Sequence, residues 1–294
     1  MEEKKKVNAY EKLIEGIENI IDSGKYKEFL KSMKYFHSYS FRNRLLIYNQ
    51  NPDATRVAGY STWKKLGRGV KSNPKKIFIV RPIIGKNKKE HEKDKNTVNQ
   101  EDNQDVKDME EEKSISAFGW TLVYDISDTY LLDESKIVPL FDDITLNNSS
   151  SEELYHILER VSPVKIDIES TYNGSDGYYS EKEKRIVISS RVSQDDATTI
   201  LLHEISHSLY DDFDYAKERD MSEMLVESIA FIVADYYGLD TSKSSFSYIT
   251  KWSKGDSKKL LKLGTKIQEA SDDLISKIEK ELNKGNESKE TKIA

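Results

Sequence analysis

The sequence of 294 residues contains no cysteine. Disulfide bonds and thiolate metal ligands are therefore excluded, and any metal ion would have to be held by histidine and carboxylate side chains. No apolar run is long enough to cross a membrane. The N-terminal stretch carries acidic residues throughout and has no continuous apolar segment, so we expect neither a secretory signal nor a membrane anchor. A cytoplasmic protein is the expectation that follows.

Charge is distributed unevenly, although the net charge of the whole chain is only −6. Residues 29–85 contain twelve lysines and arginines and a single acidic residue, Asp53. This segment therefore carries +11, and because the chain sums to −6, the remainder carries −17. Such a split is typical of a module that binds a polyanion joined to an acidic module.

Apolar periodicity and turn residues predict a mixture of helices and strands, which indicates an α+β fold. The first helix is expected to end at Gly24, and a second to cover roughly 26–50 with a break near 37–40. Further helices are expected over 61–66, 151–161, 194–210, 217–237, 244–254 and 257–283. Strands are expected over 77–80, where Pro82 would end the strand, and over 118–126, 164–168, 177–180 and 185–189.

Residues 86–114 differ in composition from the rest, with few large aliphatic side chains among many charged ones. Such a segment buries too little apolar surface to offset the entropy of ordering, so we expect it to be disordered. It separates two expected strands and would then be an insertion in a hairpin. We predict a basic N-terminal domain over 1–140, a second domain over 150–285 and a frayed tail over 286–294.

The segment TTILLHEISHSLY, residues 198–210, places His203 and His207 four residues apart with Glu204 directly after the first. Positions i and i+4 lie on one face of a helix, so both imidazoles can reach one zinc ion. Glu204 lies about 100° around the helix from His203 and can take a proton from water at the open metal position. A short pattern of this kind also recurs by chance, but here the flanking residues are uncharged and the helix has its own capping residue, Ser193.

A third ligand is expected from the helix of 217–237, where Glu227 has apolar neighbours. Glu223, one turn earlier, is the alternative, and its proximity to a charged run indicates greater exposure. Two histidines and one carboxylate leave a fourth position open, which is typical of catalytic zinc sites. Tyr210, Tyr236 and Tyr237 are candidate donors to an oxyanion, although packing is the more ordinary role of such residues.

Aromatic and basic side chains alternate through residues 35–81. Unpaired bases stack on aromatic rings while cations contact the phosphates, so this pattern favours single-stranded over duplex DNA. For each aromatic side chain, a place in the core is an equally good interpretation. The candidate DNA-binding residues are Tyr39, Arg42, Asn43, Arg44, Tyr60, Trp63, Lys64, Lys65, Arg68 and Lys71.

Residues 36–71, FHSYSFRNRLLIYNQNPDATRVAGYSTWKKLGRGVK, resemble the N-terminal domain of ArdC-type antirestriction proteins. The resemblance rests on an aromatic-Ser-x-x-Asn-x-x-Leu run, a Gln-x-Pro turn and a Tyr-x-x-Trp-x-x-Leu-Gly-Arg-x-Val-Lys segment. The sequence departs from the family at residues 72–76, where a Lys-Gly-Glu-Lys-Gly turn is usual. The second half, with the HEISH segment and the helix of Glu227, is also similar to ImmA/IrrE-type peptidases, which cleave repressors.

The resemblance implies a single-stranded-DNA-binding domain followed by a zincin-like metallopeptidase domain of the gluzincin type. It also implies a role in protecting the incoming DNA of a conjugative or mobile element from host restriction. Zinc would be held by His203, His207 and Glu227, with Glu204 as the catalytic base acting on an unidentified protein substrate. Two alternatives remain open: a regulatory protease that cleaves a repressor, and a DNA-binding protein whose metal site is not catalytic.

Overall fold

The computed structural model describes residues 9–36, 38–84, 115–132, 151–171, 174–241 and 257–290. The first half contains α1 (Ala9–Asp22), α2 (Tyr26–Ser32), α3 (Phe41–Gln50), β1 (Val57–Ala58), α4 (Tyr60–Lys65), β2 (Arg68–Val70), β3 (Ile77–Ile84), β4 (Ile115–Asp125) and β5 (Thr129–Leu131). The second half contains α5 (Ser151–Val161), β6 (Lys165–Glu169), β7 (Gly177–Ser180), β8 (Arg185–Ser189), α6 (Gln194–Tyr210), α7 (Tyr215–Tyr236) and α8 (Ser257–Glu290). The expected mixture of helices and strands is confirmed.

The strands form small sheets with the orders β1-β4-β3, β2-β5 and β6-β8-β7. Strands β3 and β4 pair antiparallel from Ile77–Val123 to Ile84–Ile115, which confirms the expected hairpin around the long insertion. The expected disorder of residues 86–114 lies outside the described residues. In the second half, β8 pairs parallel with β6 and antiparallel with β7.

Strand β3 continues past Pro82, so the prediction that this proline ends the strand is wrong. Pro82 lies opposite Phe118 in the pairing of β3 with β4. The sheet order places β3 at an edge, and a proline is tolerated there because its missing N–H faces away from the neighbouring strand.

Two side-chain amides of α3 cover the outer edge of β3. The amide of Asn43 donates to the Val80 carbonyl at 2.8 Å and accepts from the Val80 N–H at 2.9 Å. Gln50 makes the same pair of hydrogen bonds with Phe78, at 2.8 and 2.9 Å. These amides satisfy backbone groups that an edge strand otherwise leaves unpaired. The side-chain amide of Asn43, a candidate DNA-binding residue, is therefore engaged in hydrogen bonds to β3.

One apolar core includes helices from both halves of the chain. Residues of α1–α3, such as Ile20, Phe29 and Leu45, belong to the same buried cluster as residues of α5–α8, such as Leu225 and Leu274. Helix α3 approaches α8 closely at Gly264, because a Cβ there would stand 2.0 Å from Cζ of Phe41. The N-terminal helices therefore pack directly on the C-terminal helices, while the boundaries at 140 and 150 stay a prediction.

The last described helix, α8, ends at Glu290, beyond the residue 283 expected from periodicity. The expected helix over 244–254 and the final residues 291–294 lie outside the described residues. None of the described helices is long and apolar enough to cross a membrane.

Arg44 joins α3 to α8 through a buried guanidinium. Its side chain is fully buried and binds the Asp272 carboxylate at 2.7 Å. The same guanidinium donates to the carbonyls of Tyr39 at 2.9 Å and Met33 at 3.2 Å. Burial of a guanidinium is costly unless its donors are satisfied, and these contacts satisfy them.

Replacing Arg44 by alanine is expected to lower the free energy of unfolding by about 3–5 kcal/mol, because it removes the buried partner of the Asp272 carboxylate and a donor to the carbonyls of Tyr39 and Met33. The matched control is Arg42→Ala on the same helix, where the side chain is exposed and the change should stay within about 0.5 kcal/mol. Urea denaturation followed by circular dichroism measures both. Equal small effects of the two substitutions would contradict the structural role.

Candidate metal centre and basic surface

Helix α6 carries the HEISH segment and begins at the expected capping residue. The hydroxyl of Ser193 accepts from the Asp196 N–H at 3.2 Å and donates to the Asp196 carboxylate at 2.8 Å. The first of these hydrogen bonds is the N-cap contact that the sequence predicts at Ser193, whereas the Asp196 carboxylate binds the Ser193 hydroxyl and not its backbone N–H as in a full capping box. Farther along the helix, Leu201, Leu202 and Ile205 are fully buried.

His203, His207 and Glu223 form the group within the described residues that could hold a metal ion. One ligand atom from each of them lies within 4.8 Å of the other two. The imidazole ring centres are 4.9 Å apart. Two imidazole nitrogens and one carboxylate oxygen are a donor set that first-row transition metals accept. The residues therefore fit a divalent metal ion, and three ligands leave a coordination position open.

The other ring nitrogen of each histidine faces a second carboxylate. Nδ1 of His207 lies 2.8 Å from the Asp211 carboxylate, and Nδ1 of His203 lies 3.3 Å from that of Glu227. Nε2 of His203 lies 3.6 Å from the Glu223 carboxylate. Metal-binding histidines usually donate their second N–H to such a carboxylate, which fixes ring orientation. The geometry therefore gives Asp211 and Glu227 the orienting positions and leaves Glu223 facing the ligand atoms.

Glu223 is less exposed than Glu227, so the expectation of greater exposure at Glu223 is wrong. The exposed fractions of the two side chains are 13% and 24%. The Tyr215 hydroxyl donates a hydrogen bond to Glu223, and the Arg219 guanidinium lies 3.9 Å from the same carboxylate. A kink at Glu218 in the first turns of α7 lies within the charged run of residues 217–220.

Mutual attraction shifts the pKa values of the charged groups at this centre. Burial lowers the pKa of His203, but the carboxylates of Glu223, Glu227 and Glu204 together raise it to about 10. Burial raises the pKa of Glu223, yet hydrogen bonds from His203 and Tyr215 bring it down to about 2. Without a metal ion, His203 is therefore an imidazolium held between carboxylates.

Glu204 is buried at the wall of a cleft. Burial raises the pKa of its carboxyl group, while the charges of His203 and His207 and a hydrogen bond from the Tyr179 N–H oppose that rise. The cleft measures about 770 Å³ and lies between β7 and the start of α7. Its lining includes both histidines, Glu204 and Glu223.

The three tyrosines proposed from the sequence as oxyanion donors are directed elsewhere. Tyr210 and Tyr236 donate to Asp273 and Glu279 of α8, both at 2.8 Å, and the Tyr237 hydroxyl lies 3.4 Å from the carbonyl of α8 residue 275. Because their hydroxyls are occupied by α8, packing is their role in this structure.

Tyr215 is the tyrosine that the structure does bring to the centre, and sequence reasoning missed it. Its ring centre lies 6.1 Å from that of His207, and its hydroxyl reaches Glu223. A signal was present, because Asp214 caps the start of α7 and Tyr215 comes eight residues before Glu223.

Two of the candidate DNA-binding residues are buried, so they cannot contact DNA in this structure. Arg44 and Trp63 are fully buried, and the Trp63 indole donates to the Tyr124 carbonyl at 2.9 Å. Tyr39 is half-buried and donates to the Val57 carbonyl at 2.7 Å. These side chains are core residues, which is the alternative interpretation of the aromatic pattern.

The other basic candidates remain at the surface. Arg42, Lys64, Lys65 and Lys71 are exposed, and Tyr60 is 60% exposed. Lys71 donates to the Ser127 carbonyl and Arg68 to the Thr129 hydroxyl, both at 2.7 Å. Among the described residues, none of these cations forms an ion pair with an acidic side chain. We call α4, β2 and β5 the basic surface, and its exposed aromatic residues are Tyr60 and Tyr130.

Fold and site together define a mixed helix–strand protein with a basic segment at residues 29–85 and a candidate His–His–Glu metal centre. Residues 7–118 match the family model of the N-terminal domain of the anti-restriction factor ArdC. The chain therefore carries an ArdC-type N-terminal domain, and the resemblance seen in residues 36–71 is confirmed.

Other similarities extend over most of the chain. An uncharacterized protein of Bacillus anthracis is 25% identical over 287 residues, which cover 87% of this chain and 48% of that protein. The chain thus spans about half the length of this relative.

Two crystal structures of the antirestriction ArdC protein from the R388 plasmid share the fold. The metal-free one has a TM-score of 0.53 at 20% identity and covers 82% of this chain and 86% of that chain. The Mn(II)-bound one has a TM-score of 0.60 at 17% identity and covers 92% and 98%.

Replacing Glu223 by glutamine is expected to weaken metal binding by more than about 100-fold, whereas Glu227→Gln should weaken it about 10–100-fold, as loss of an orienting group does. Titration with Zn²⁺ and Mn²⁺ in competition with a chelator measures both. In the wild type, affinity should rise as pH rises toward 10, because the metal ion has to displace the proton of His203. A larger loss for Glu227→Gln would return the ligand role to Glu227.

Proposed function

We propose that the second half of this chain is a metal-dependent peptidase, that the first half binds single-stranded DNA, and that the protein protects incoming DNA of a mobile element from host restriction. The observation that carries the peptidase proposal is the convergence of His203, Glu204, His207 and Glu223 in one cleft. Zinc is the metal that we propose, since the donor set suits it.

The chemistry follows from the positions of these groups. A divalent ion held by His203, His207 and Glu223 would polarise a peptide carbonyl and lower the pKa of a water molecule. Glu204 would accept a proton from the attacking water and pass it to the departing amine. The raised pKa of Glu204 suits a carboxyl group that holds a proton temporarily. Asp211 and Glu227 would keep the imidazole rings in place.

The cleft has a wall that suits an extended peptide. Strand β7 is at the edge of the sheet β6-β8-β7, so its second edge has no partner strand within the described part of the chain. Gly177, Tyr178 and Tyr179 of this strand line the cleft together with Glu204. A peptide can add to such an edge through main-chain hydrogen bonds. This arrangement supports a protein or peptide as the substrate.

The ArdC-type N-terminal domain and the exposed cations support the DNA-binding proposal. The solved relatives are antirestriction proteins by name, and we extend that role to this chain. Exposed rings such as those of Tyr60 and Tyr130 can stack on unpaired bases, and the neighbouring cations can contact phosphates. A duplex hides its base faces, so single strands are the proposed ligand.

Replacing Glu204 by glutamine is expected to leave metal affinity within about threefold of the wild type and to reduce proteolysis at least about 100-fold, because the general base is lost. The measurement compares the host proteome during expression of each form and repeats the cleavage with purified protein. The control is Glu218→Gln, an exposed residue of α7. Metal binding without any cleavage by the wild type would instead favour a DNA-binding protein with a non-catalytic metal site. Cleavage confined to a repressor would favour a regulatory protease.

Replacing both Lys64 and Lys65 by glutamine is expected to weaken binding of a single-stranded oligonucleotide. It should also reduce the slope of log affinity against log salt by about 1.4, since each lost phosphate contact removes about 0.7. Fluorescence anisotropy over a salt series measures this. The matched control replaces Lys182 and Lys262, two exposed lysines of the second half, and should leave the slope unchanged. Equal or tighter binding of duplex DNA would count against the proposed ligand.

A further inference from the structure

A second pocket adjoins the main cleft beside Glu204. It measures about 290 Å³ and lies between α6 and α7, so we call it the α6–α7 pocket. Its lining residues from α6 are Thr199, Ile200, His203 and Glu204. Those from α7 and the residues after it are Glu227, Ala230, Phe231, Ala234, Asp240 and Thr241, and Asp176 and Gly177 complete the wall.

The pocket runs away from the candidate metal centre. Helices α6 and α7 are antiparallel, as the proximity of His203 to Glu227 and the shared contact of His207 and Ser222 with Asp211 indicate. The α6 residues that precede His203 therefore lie beside the α7 residues that follow Glu227, and the pocket extends between them. Seven residues separate Glu227 from Ala234, which corresponds to about 10 Å along a helix. That depth accommodates a long side chain.

The pocket combines an apolar floor with acidic residues around it. Ile200, Ala230, Phe231 and Ala234 supply an apolar floor, and the two alanines, one helical turn apart, leave the space open. Carboxylates stand around it, from Glu227 near the metal centre and from the exposed residues Asp176 and Asp240. No lysine or arginine of the described residues lines the pocket. Lys27 lies near its far end, where its ammonium donates to the Thr241 carbonyl at 2.9 Å and stands 5.5 Å from the ring centre of Phe231.

The entrance of the pocket is fixed by Gly177 at the start of β7. A Cβ at this position would stand 2.5 Å from Cγ2 of Ile200 and 3.1 Å from the Val187 carbonyl oxygen. The absence of a side chain therefore lets β7 lie close against α6. Because Gly177, His203 and Glu204 line both the main cleft and the α6–α7 pocket, a peptide lying along β7 would pass the entrance at its reacting bond.

We propose that the α6–α7 pocket binds the lysine or arginine side chain of a residue next to the scissile bond, so that the substrate is a peptide cleaved beside a basic residue. The methylene groups of such a side chain match the apolar floor, and its cationic end matches the carboxylates. An acidic side chain would meet like charges, and a short apolar one would gain no attraction from the carboxylates. This proposal rests on the proposed peptidase function for the identity of its ligand.

Binding to the hydrolysis-deficient Glu204→Gln protein loaded with Zn²⁺ tests the proposal with peptides. Peptides that differ at one position, as arginine, leucine or glutamate, are titrated by calorimetry. The arginine peptide should bind at least about tenfold more tightly than the other two. Adding Asp176→Asn and Asp240→Asn should reduce this preference to about twofold or less. The matched control, Glu152→Gln with Asp195→Asn, removes two exposed carboxylates outside the pocket and should retain the preference.

A small probe tests the pocket independently of peptidase function. Butylguanidine carries the arginine side chain alone, and pentanamide is a neutral compound of similar length. In wild-type protein labelled at isoleucine and alanine methyl groups, butylguanidine at millimolar concentration should shift the NMR signals of Ile200, Ala230 and Ala234 more than pentanamide does. The substitutions at Asp176 and Asp240 should weaken that effect.

The outcomes separate the two proposals. Peptides cleaved with no basic preference, together with unshifted methyl signals, would overturn the pocket proposal and leave the peptidase function standing. Shifted methyl signals, weakened by the two substitutions, without cleavage of any peptide would support the pocket and overturn the peptidase function. Preference for the leucine or glutamate peptide in the binding series would also overturn the pocket proposal.

Discussion

The antiparallel packing of α6 against α7 is the constraint on which the candidate site depends. Leu201, Leu202 and Ile205 of α6 and Leu225 and Ile229 of α7 are fully buried, and each such side chain contributes about 1.5–3 kcal/mol. This apolar contact fixes the separation of the polar residues that the same helices present to the cleft. It also offsets the cost of holding several charged groups in a partly buried place. The candidate metal ligands and the apolar floor of the α6–α7 pocket are therefore positioned by one helix pair.

Charge balance explains why the centre is suited to a cation. Glu204, Glu223 and Glu227 surround His203, and the imidazole responds with a pKa raised to about 10. A proton on His203 thus partly balances the negative charge of these carboxylates when no metal ion is bound. A divalent ion would replace that proton and supply more charge, so binding of metal and binding of protons oppose each other. The same excess of carboxylates extends into the α6–α7 pocket, where a substrate cation can meet it.

The sequence predicted features that depend on spacing and failed on features that depend on burial. The i, i+4 histidines, the Ser193 cap and the hairpin of β3 and β4 follow from local periodicity and turn chemistry, which act over a few residues. The choice between Glu223 and Glu227 could not follow, because both lie on one face of α7 and their exposure depends on contacts made in the folded chain, such as those of Tyr215 and Arg219 with Glu223. The prediction that Arg44 and Trp63 contact DNA failed for a related reason: aromatic residues occur both in a protein core and on a base-stacking surface, and the sequence does not say which side chains are buried.

The shared core also constrains how the two halves can influence each other. Tyr26 of α2 lies 3.0 Å, hydroxyl to hydroxyl, from Ser228, the residue that follows Glu227. Lys34 binds Asp235 at 2.9 Å, and Lys27 holds the Thr241 carbonyl at the end of the α6–α7 pocket. The N-terminal helices therefore contact α7 and the residues just after it, in the same part of the chain that lines the pocket. They help to position the helix that carries Glu223 and Glu227. A displacement of α2 would move the wall of the pocket directly through these contacts, and the sheet that contains β7 would not be involved.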